Sequence, residues 1–283
     1  MKNSKNLNMN IFAQLTQIFN ENFERLPENV RENLFNRVSK LLDSLNKDEQ
    51  KIVMELFKNV EYYSILDYET LLIEVIRQIQ EDTSIKNIMF TPMISQRYQR
   101  EVKSSMLVTY LFKSNVIKYE FPNFKFKASY KIDITDAEIT NINSNKDKRL
   151  AIVDDFIGTG HSASEAADYF IGKGLSKDKI IIVSLLTLTQ GEEFLANKNF
   201  NFFYARKSLT LKEHNNHLSE DEKNRLYINI NEISEKVGAP SRKRHLGFGD
   251  SQALVSMIRV PNNSLHMLWN GSDKEAIPFP RIK

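Results

Sequence analysis

Arg149-Leu150-Ala151-Ile152-Val153-Asp154-Asp155-Phe156-Ile157-Gly158-Thr159-Gly160-His161-Ser162-Ala163-Ser164-Glu165-Ala166 is the stretch whose reading decides the fold. Leu150 to Val153 is short and apolar, as a strand buried in a parallel sheet is. The alanine-bearing run after Ser162 reads as a helix, so strand and helix form one step of an α/β domain. Asp154 and Asp155 then fall at the C-terminal end of the strand, the edge where open α/β sheets bind ligands. Two adjacent carboxylates repel each other, and sugar hydroxyls, a magnesium ion, or both would offset that repulsion. In Gly158-Thr159-Gly160-His161-Ser162 the glycines let the backbone turn its amides inward, and Thr159 and Ser162 add hydroxyls. The following helix start contributes amides without intrahelical acceptors and a partial positive charge. Together these features suit a phosphate monoester. Ser162 and Glu165 also fit a capping box.

Outward from this stretch, glycine usage divides the chain. All nine glycines lie at or after Gly158, so backbone conformations that other residues avoid are confined to the second half. Residues 1–85 read as an all-helical region. Ile11, Phe12, Leu15, Ile18, Phe19 and Phe23 make one apolar face, and Val30, Leu34, Phe35, Val38, Leu41, Leu42 and Leu45 a second. Asn46 and Glu49 match a capping box for a third helix bearing Ile52, Val53, Leu56, Phe57 and Val60. A fourth runs through Leu71, Leu72, Val75, Ile76 and Ile79. Such faces either pack as core or dock a partner.

From residue 86 to 283 short apolar runs alternate with helical stretches, the pattern of a mostly parallel sheet. Strands are expected at Ile88–Phe90, Val116–Phe121, Leu150–Val153, Ile180–Leu188 and Phe200–Ala205. Met106 to Phe112 reads as a helix. Phe124 to Ile134 alternates with lysines, as a half-exposed edge strand would. Residues 141–148 read as a loop. Leu254–Ile258 and Leu265–Trp269 are expected as late strands.

Composition narrows the function classes. The chain has 283 residues and no cysteine, which excludes a disulfide framework, thiolate metal centres and a cysteine nucleophile. Its 39 basic and 36 acidic residues leave a net charge of +3, which does not argue for a nucleic-acid partner. The longest apolar stretch is far short of a membrane span, and the polar start lacks a signal-peptide core, so a soluble cytoplasmic protein is expected. His214 and His217 are three apart, but no further ligands make them a zinc site.

Two phosphate motifs fit poorly. No lysine follows Gly160 as a Walker loop needs, and the third glycine of the dinucleotide fingerprint is missing. Instead, an apolar strand, two acids, two apolar residues and Gly-Thr-Gly-x-Ser resemble the phosphoribosyl pyrophosphate (PRPP) motif of type I phosphoribosyltransferases. Ala151 to Ser162 matches nearly throughout. The resemblance implies a Rossmann-like α/β domain with a mostly parallel sheet, preceded here by an N-terminal all-helical extension. It implies that Asp154 and Asp155 are the catalytic pair that holds the ribose hydroxyls. Gly158, Thr159, Gly160, His161 and Ser162 would hold the 5′-phosphate. Mg2+ would enter with PRPP, with no direct protein ligand to it. The pyrophosphate loop would lead into Lys103, Ser104 and Ser105, with Arg97 and Arg100 as charged candidates. That loop departs from the family pattern, being long and free of glycine. The departure motivates an alternative, a PRPP- or nucleotide-binding sensor or interaction subunit without turnover.

His245-Leu-Gly-Phe-Gly-Asp-Ser-Gln252 resembles the purine-salvage branch, which implies Phe248 stacking on a base and Asp250 reading its edge; a glycine-rich turn before a strand accounts for the same residues equally well. Gly247-Phe-Gly-Asp-Ser-Gln-Ala-Leu-Val255 and Pro261-Asn-Asn-Ser-Leu-His-Met-Leu-Trp269 resemble a more divergent group, the PRTase-CE proteins of bacterial conflict systems. This resemblance spans roughly residues 86–280. It implies an effector in antiphage defence that transfers phosphoribosyl to an acceptor the sequence does not name. The partner it implies is a reverse transcriptase or another defence component, met through the N-terminal helices. The lysine-rich strand at 124–134 and the basic run Ser241-Arg-Lys-Arg-His245 lend some support to a nucleic-acid or protein acceptor. A solvated surface is the simpler account of the basic run, since charge runs are common on surfaces.

Overall fold

The computed structural model describes residues 9–93, 103–123, 127–239 and 245–281. Helices α1 (Met9–Asn22), α2 (Glu28–Asp43) and α3 (Lys47–Asn59) and the short strand β1 (Glu61–Tyr62) precede α4 (Ile65–Glu81). Next come β2 (Asn87–Pro92), α5 (Ser104–Leu111), α6 (Asn115–Glu120), β3 (Lys127–Tyr130), α7 (Asp136–Ser144) and β4 (Lys148–Ile157). The chain continues through α8 (His161–Gly172), β5 (Ile180–Thr187), α9 (Thr189–Asn197) and β6 (Asn201–Lys207). It ends with α10 (Leu211–His214), α11 (Glu220–Lys236) and β7 (Val255–Ser256).

Two compact units result. One is the continuous segment Ile65–Lys207; the other joins the residues up to Ser64 with those from Ser208 onward. The sequence pattern placed a boundary at 85/86; the division falls instead after Ser64 and after Lys207. The difference is α4, which looks like the three helices before it but packs on β5 and β6. Gln78 donates to the Tyr204 carbonyl at 2.8 Å, and Glu74 pairs with Arg206.

In the sheet unit the strand order is β3-β2-β4-β5-β6, and every pairing is parallel. The chain moves outward from β2 to β3, then crosses back over β2 to lay down β4, β5 and β6. The order therefore reverses between β2 and β4, and the crevice beyond their C-terminal ends is the topological switch point of the sheet. The central strands β4 and β5 carry Leu150, Ala151, Ile152, Val153 and Ile180, Ile181, Ile182, Val183, all fully buried. That is the continuous apolar pattern a strand covered on both faces requires.

The other unit buries the expected apolar faces of α1, α2 and α3. Leu15, Phe19, Phe23, Val38, Leu42 and Phe57 form one core with Ile230 and Ile233 of α11 and with Leu265 and Leu268. The Asn46–Glu49 capping box is present, and the buried Glu49 carboxylate also accepts from Lys236 Nζ at 2.6 Å. β1 and β7 pair in parallel within this unit. No helix among the described residues is long and apolar enough to cross a membrane.

Several expected elements differ. Val116–Phe121 is helix, not strand: the Ser114 side chain accepts from the Ile117 amide, and this cap outweighs the β-branched residues. The edge strand is limited to Lys127–Tyr130, with residues 124–126 outside the described set. Residues 141–144 belong to α7 rather than a loop, because a Thr135–Glu138 capping box starts a helix that buries Ile139 and Ile142. Leu254–Ile258 retains only the two residues of β7, and Leu265–Trp269 holds a 3-10 turn at His266–Leu268.

Candidate functional site

β4 extends past the acidic pair to Ile157, so Asp154 and Asp155 lie within the strand and not beyond its end. Alternation along the strand gives them different surroundings. Asp155 is buried at 6% exposure. Its Oδ2 accepts from the Tyr68 hydroxyl of α4 at 2.9 Å, and its Oδ1 from the Ser104 hydroxyl of α5 at 2.7 Å. Asp154 is partly exposed, and its Oδ1 accepts from the Asp155 amide at 2.9 Å. Burial, joined by the charge of Asp155, pushes the Asp154 carboxyl well above the usual carboxylate range, while the Lys103 ammonium pulls the other way. Desolvation is the larger cause, and the neighbouring Asp155 charge adds to it.

The glycine loop follows directly. Gly160 is the N-cap of α8 at φ +79°, and no side chain caps the helix. The expected Ser162–Glu165 capping box is absent, because the helix begins at His161 and places Ser162 inside its first turn. The first-turn amides thus have no capping side chain to accept from them. His161 and Ser162 are exposed, Thr159 partly so, and Gly158 and Gly160 buried. The His161 ring stacks on Phe194 of α9, with centroids 4.4 Å apart. The loop also rests on Gly191, where an added Cβ would stand 2.5 Å from the Gly158 carbonyl oxygen.

Across the switch point, Pro92 at the end of β2 is in register with Val153 of β4. The chain leaves β2 at Met93 and is described again from Lys103, the N-cap residue of α5, which likewise has no side-chain cap. Lys103 and Ser104 therefore meet the acidic pair, Lys103 through its charge and Ser104 through its hydrogen bond. Ser105 does not: it is buried at 1% and donates to the Met93 carbonyl at 3.2 Å. Arg97, Arg100 and Ser241–Arg244 lie outside the described residues.

Phe248 and Asp250 belong to the unit built from both chain ends, in a 3-10 turn at Phe248–Asp250. Both side chains are exposed, Phe248 at 46%. The turn is braced by the Pro261–Asn263 segment: Phe248 N donates to the Asn262 carbonyl at 2.9 Å, and Asn263 Nδ2 to Ser251 Oγ at 2.8 Å. A Cβ at Gly247 would fall 2.0 Å from the Asn263 carbonyl oxygen. The two C-terminal motifs are thus parts of one packed structure.

Tyr68, Phe194 and Gly191 are site-supporting residues that the sequence reading missed. Tyr68 sits in an apolar helical face and reads as core. Gly191 carried a signal, a glycine near the start of a helix beside a buried strand. Among the described residues no group of three or more His, Asp or Glu side chains is placed to hold a metal ion.

A family model described as PRTase-CE matches residues 38–281, and the chain belongs to that family. The match begins inside α2, so it includes α3 and α4, which the sequence resemblance left out. The chain is similar over part of its length to an orotate phosphoribosyltransferase from Aeropyrum pernix, with 14% identity, 50% of this chain and 68% of that one covered, and a TM-score of 0.28. It is similar to the Giardia lamblia APRTase complexed with 9-deazaadenine, with 12% identity, 48% and 78% covered, and a TM-score of 0.29. It is also similar to the Helicobacter pylori xanthine-guanine-hypoxanthine phosphoribosyltransferase, with 14% identity, 52% and 84% covered, and a TM-score of 0.29. Among curated proteins none matches.

Proposed function

We propose that this chain is a PRPP-dependent phosphoribosyltransferase whose reaction centre is the crevice between the ends of β2 and β4. The observation that carries the reading is the convergence of Asp154, the Gly158–Ser162 loop and Lys103 at that crevice, with Asp155 locked beneath them. Asp154 accepts from the ribose hydroxyls. Asp155 engages Tyr68 and Ser104 through its carboxylate and positions Asp154 through its amide. The α8 N-terminus and the Thr159 and Ser162 hydroxyls hold the 5′-phosphate. Lys103 and the first turn of α5 face the pyrophosphate.

An acceptor nucleophile attacks C1 of the ribose, the C1–O bond to pyrophosphate breaks, and its electron pair leaves with pyrophosphate. Charge grows on the leaving group in an oxocarbenium-like transition state, and pre-placed cations and amides lower that barrier. One partly exposed carboxylate fits an ion that arrives with a diphosphate, since Mg2+ is commonly bound by one or two carboxylates plus substrate phosphates. When bound, Mg2+ would offset charge on the departing pyrophosphate.

The test is thermal unfolding with Mg2+ and PRPP, comparing wild type with Asp154→Asn/Asp155→Asn, followed by assay of pyrophosphate release. At about 100 times Kd, binding adds ~2.7 kcal/mol of stability to the wild type. Absence of a PRPP-dependent shift in folded wild type, or an equal shift in the double variant, would overturn the assignment. A PRPP-dependent shift without pyrophosphate release, over a panel of base, nucleotide and macromolecular acceptors, would favour the non-catalytic sensor. The glycine-free sequence between β2 and α5 motivates that second reading. The antiphage-defence setting and a reverse-transcriptase or other protein partner rest on the family resemblance alone.

A further inference from the structure

The unit built from both chain ends contains a cavity of about 420 Å3 with three arginines on its wall, Arg37, Arg259 and Arg281. Among the described residues no carboxylate lines it, and apart from Asn33 and Ser256 the remaining described wall is apolar or aromatic. Neutral groups hold two of the guanidinium groups in place. Arg37 donates to the Lys274 and Ile277 carbonyls. Arg281 Nε and Nη2 both donate to the Val260 carbonyl, Nε at 2.8 Å, which leaves Nη1 for a ligand, and its guanidinium lies 3.9 Å from the Trp269 ring centroid. Arg259 is exposed and has no hydrogen-bond or ion-pair partner among the described residues. Glu275 is paired with Lys40 at 2.5 Å. Burial, with the Arg259 charge adding to it, brings Arg281 down to about 10.

The rest of the cavity is suited to a flat ring. Tyr62 and Phe279 both line it, with their rings 6.1 Å apart and 25° from parallel. Asn33 Nδ2 donates to the Asn29 carbonyl at 2.8 Å, which leaves Asn33 Oδ1 to accept from a ligand. The volume lies in the range of small-molecule pockets, and the Arg259 fork can bind phosphate in two-point geometry while Arg281 offers Nη1.

We propose that this cavity is a second ligand site that takes a nucleoside monophosphate. The phosphate meets Arg259 and Arg281, and the base lies along Tyr62 and Phe279. The acidic pair lies in the other unit, so this site stands or falls independently of the transferase reading.

The test uses the full chain with AMP and UMP as probes. Calorimetry reads affinity, and the emission of Trp269, the one tryptophan in the sequence, reads events beside Arg281. The expected result is saturable binding of at least one probe with a change in Trp269 emission. Adenosine, uridine and inorganic phosphate bind at least tenfold more weakly. Arg259→Glu weakens the nucleotide at least tenfold, and Arg259→Gln weakens it less. Both variants fold, because the side chain is exposed and bonded to nothing among the described residues. Asp154→Asn/Asp155→Asn leaves the affinity within twofold. The proposal is overturned if neither nucleotide saturates, if Arg259→Glu binds as wild type does, or if the acidic-pair variant loses the binding.

Discussion

Tyr68→Phe removes one hydroxyl and nothing else from the floor of the crevice. Tyr68 is fully buried, and its hydroxyl donates to Asp155 Oδ2 at 2.9 Å. The phenyl ring of the variant fills the same space, so no cavity term enters. What is lost is a hydrogen bond to a buried carboxylate, worth about 1.5–3 kcal/mol. In an Asp155→Asn background the acceptor is neutral, and the same substitution costs about 0.5–1.5 kcal/mol. The double-mutant cycle therefore closes with a coupling of about 1 kcal/mol or more. Urea unfolding at pH 7 followed by far-ultraviolet circular dichroism reads the change as a lower midpoint at constant slope. Amide exchange places it in α4 and β4. A cost below about 0.5 kcal/mol, or an equal cost in the Asp155→Asn background, would refute the reasoning that Asp155 is a charged anchor shared by three elements.

Asp154→Asn raises the stability of the ligand-free protein at neutral pH while abolishing the response to PRPP. The Asp154 carboxyl is raised in the folded state, so its contribution is fully present below the ordinary carboxylate range and is lost as pH climbs through the raised value. The urea-midpoint gap between variant and wild type should thus open as pH rises from 4 to 8, reaching about 0.5–2 kcal/mol. A gap that is flat or closes with pH contradicts this. Gly191→Ala places a methyl group 2.5 Å from the Gly158 carbonyl oxygen. It costs about 1–3 kcal/mol in urea unfolding and weakens PRPP binding. Gly172→Ala, where nothing stands within 4 Å of the added Cβ, serves as the control and changes neither.

The sheet and its acidic loop were legible because each signal was local. Ile180 to Val183 can only be buried strand, and Gly158-Thr159-Gly160 between strand and helix has few other uses. The division of the chain was not legible. α4 carries the same apolar periodicity as α1 to α3, and periodicity states that a face is buried without naming what buries it. The inequality of Asp154 and Asp155 was hidden for the same reason. It depends on Tyr68, 87 positions upstream of Asp155, and on Ser104, both brought in by tertiary packing. Val116–Phe121 reads as strand from its β-branched residues, and the Ser114 cap makes Asn115–Glu120 helix instead.

A unit assembled from both chain ends has a consequence for the order of synthesis. The apolar faces of α1 to α3 are made well before their cover, since Ile230, Ile233, Leu265 and Leu268 lie about 170–210 positions beyond the end of α3. At about 5–20 residues per second, that leaves them waiting on the order of 10–40 s. The segment Ile65–Lys207, with the acidic pair in it, is complete well before then. A chain cut short after Lys207 would therefore carry an intact crevice and an uncovered greasy surface. Such products would be exposed to proteases and aggregation, so the residues from 208 onward act as a seal on helices made long before them.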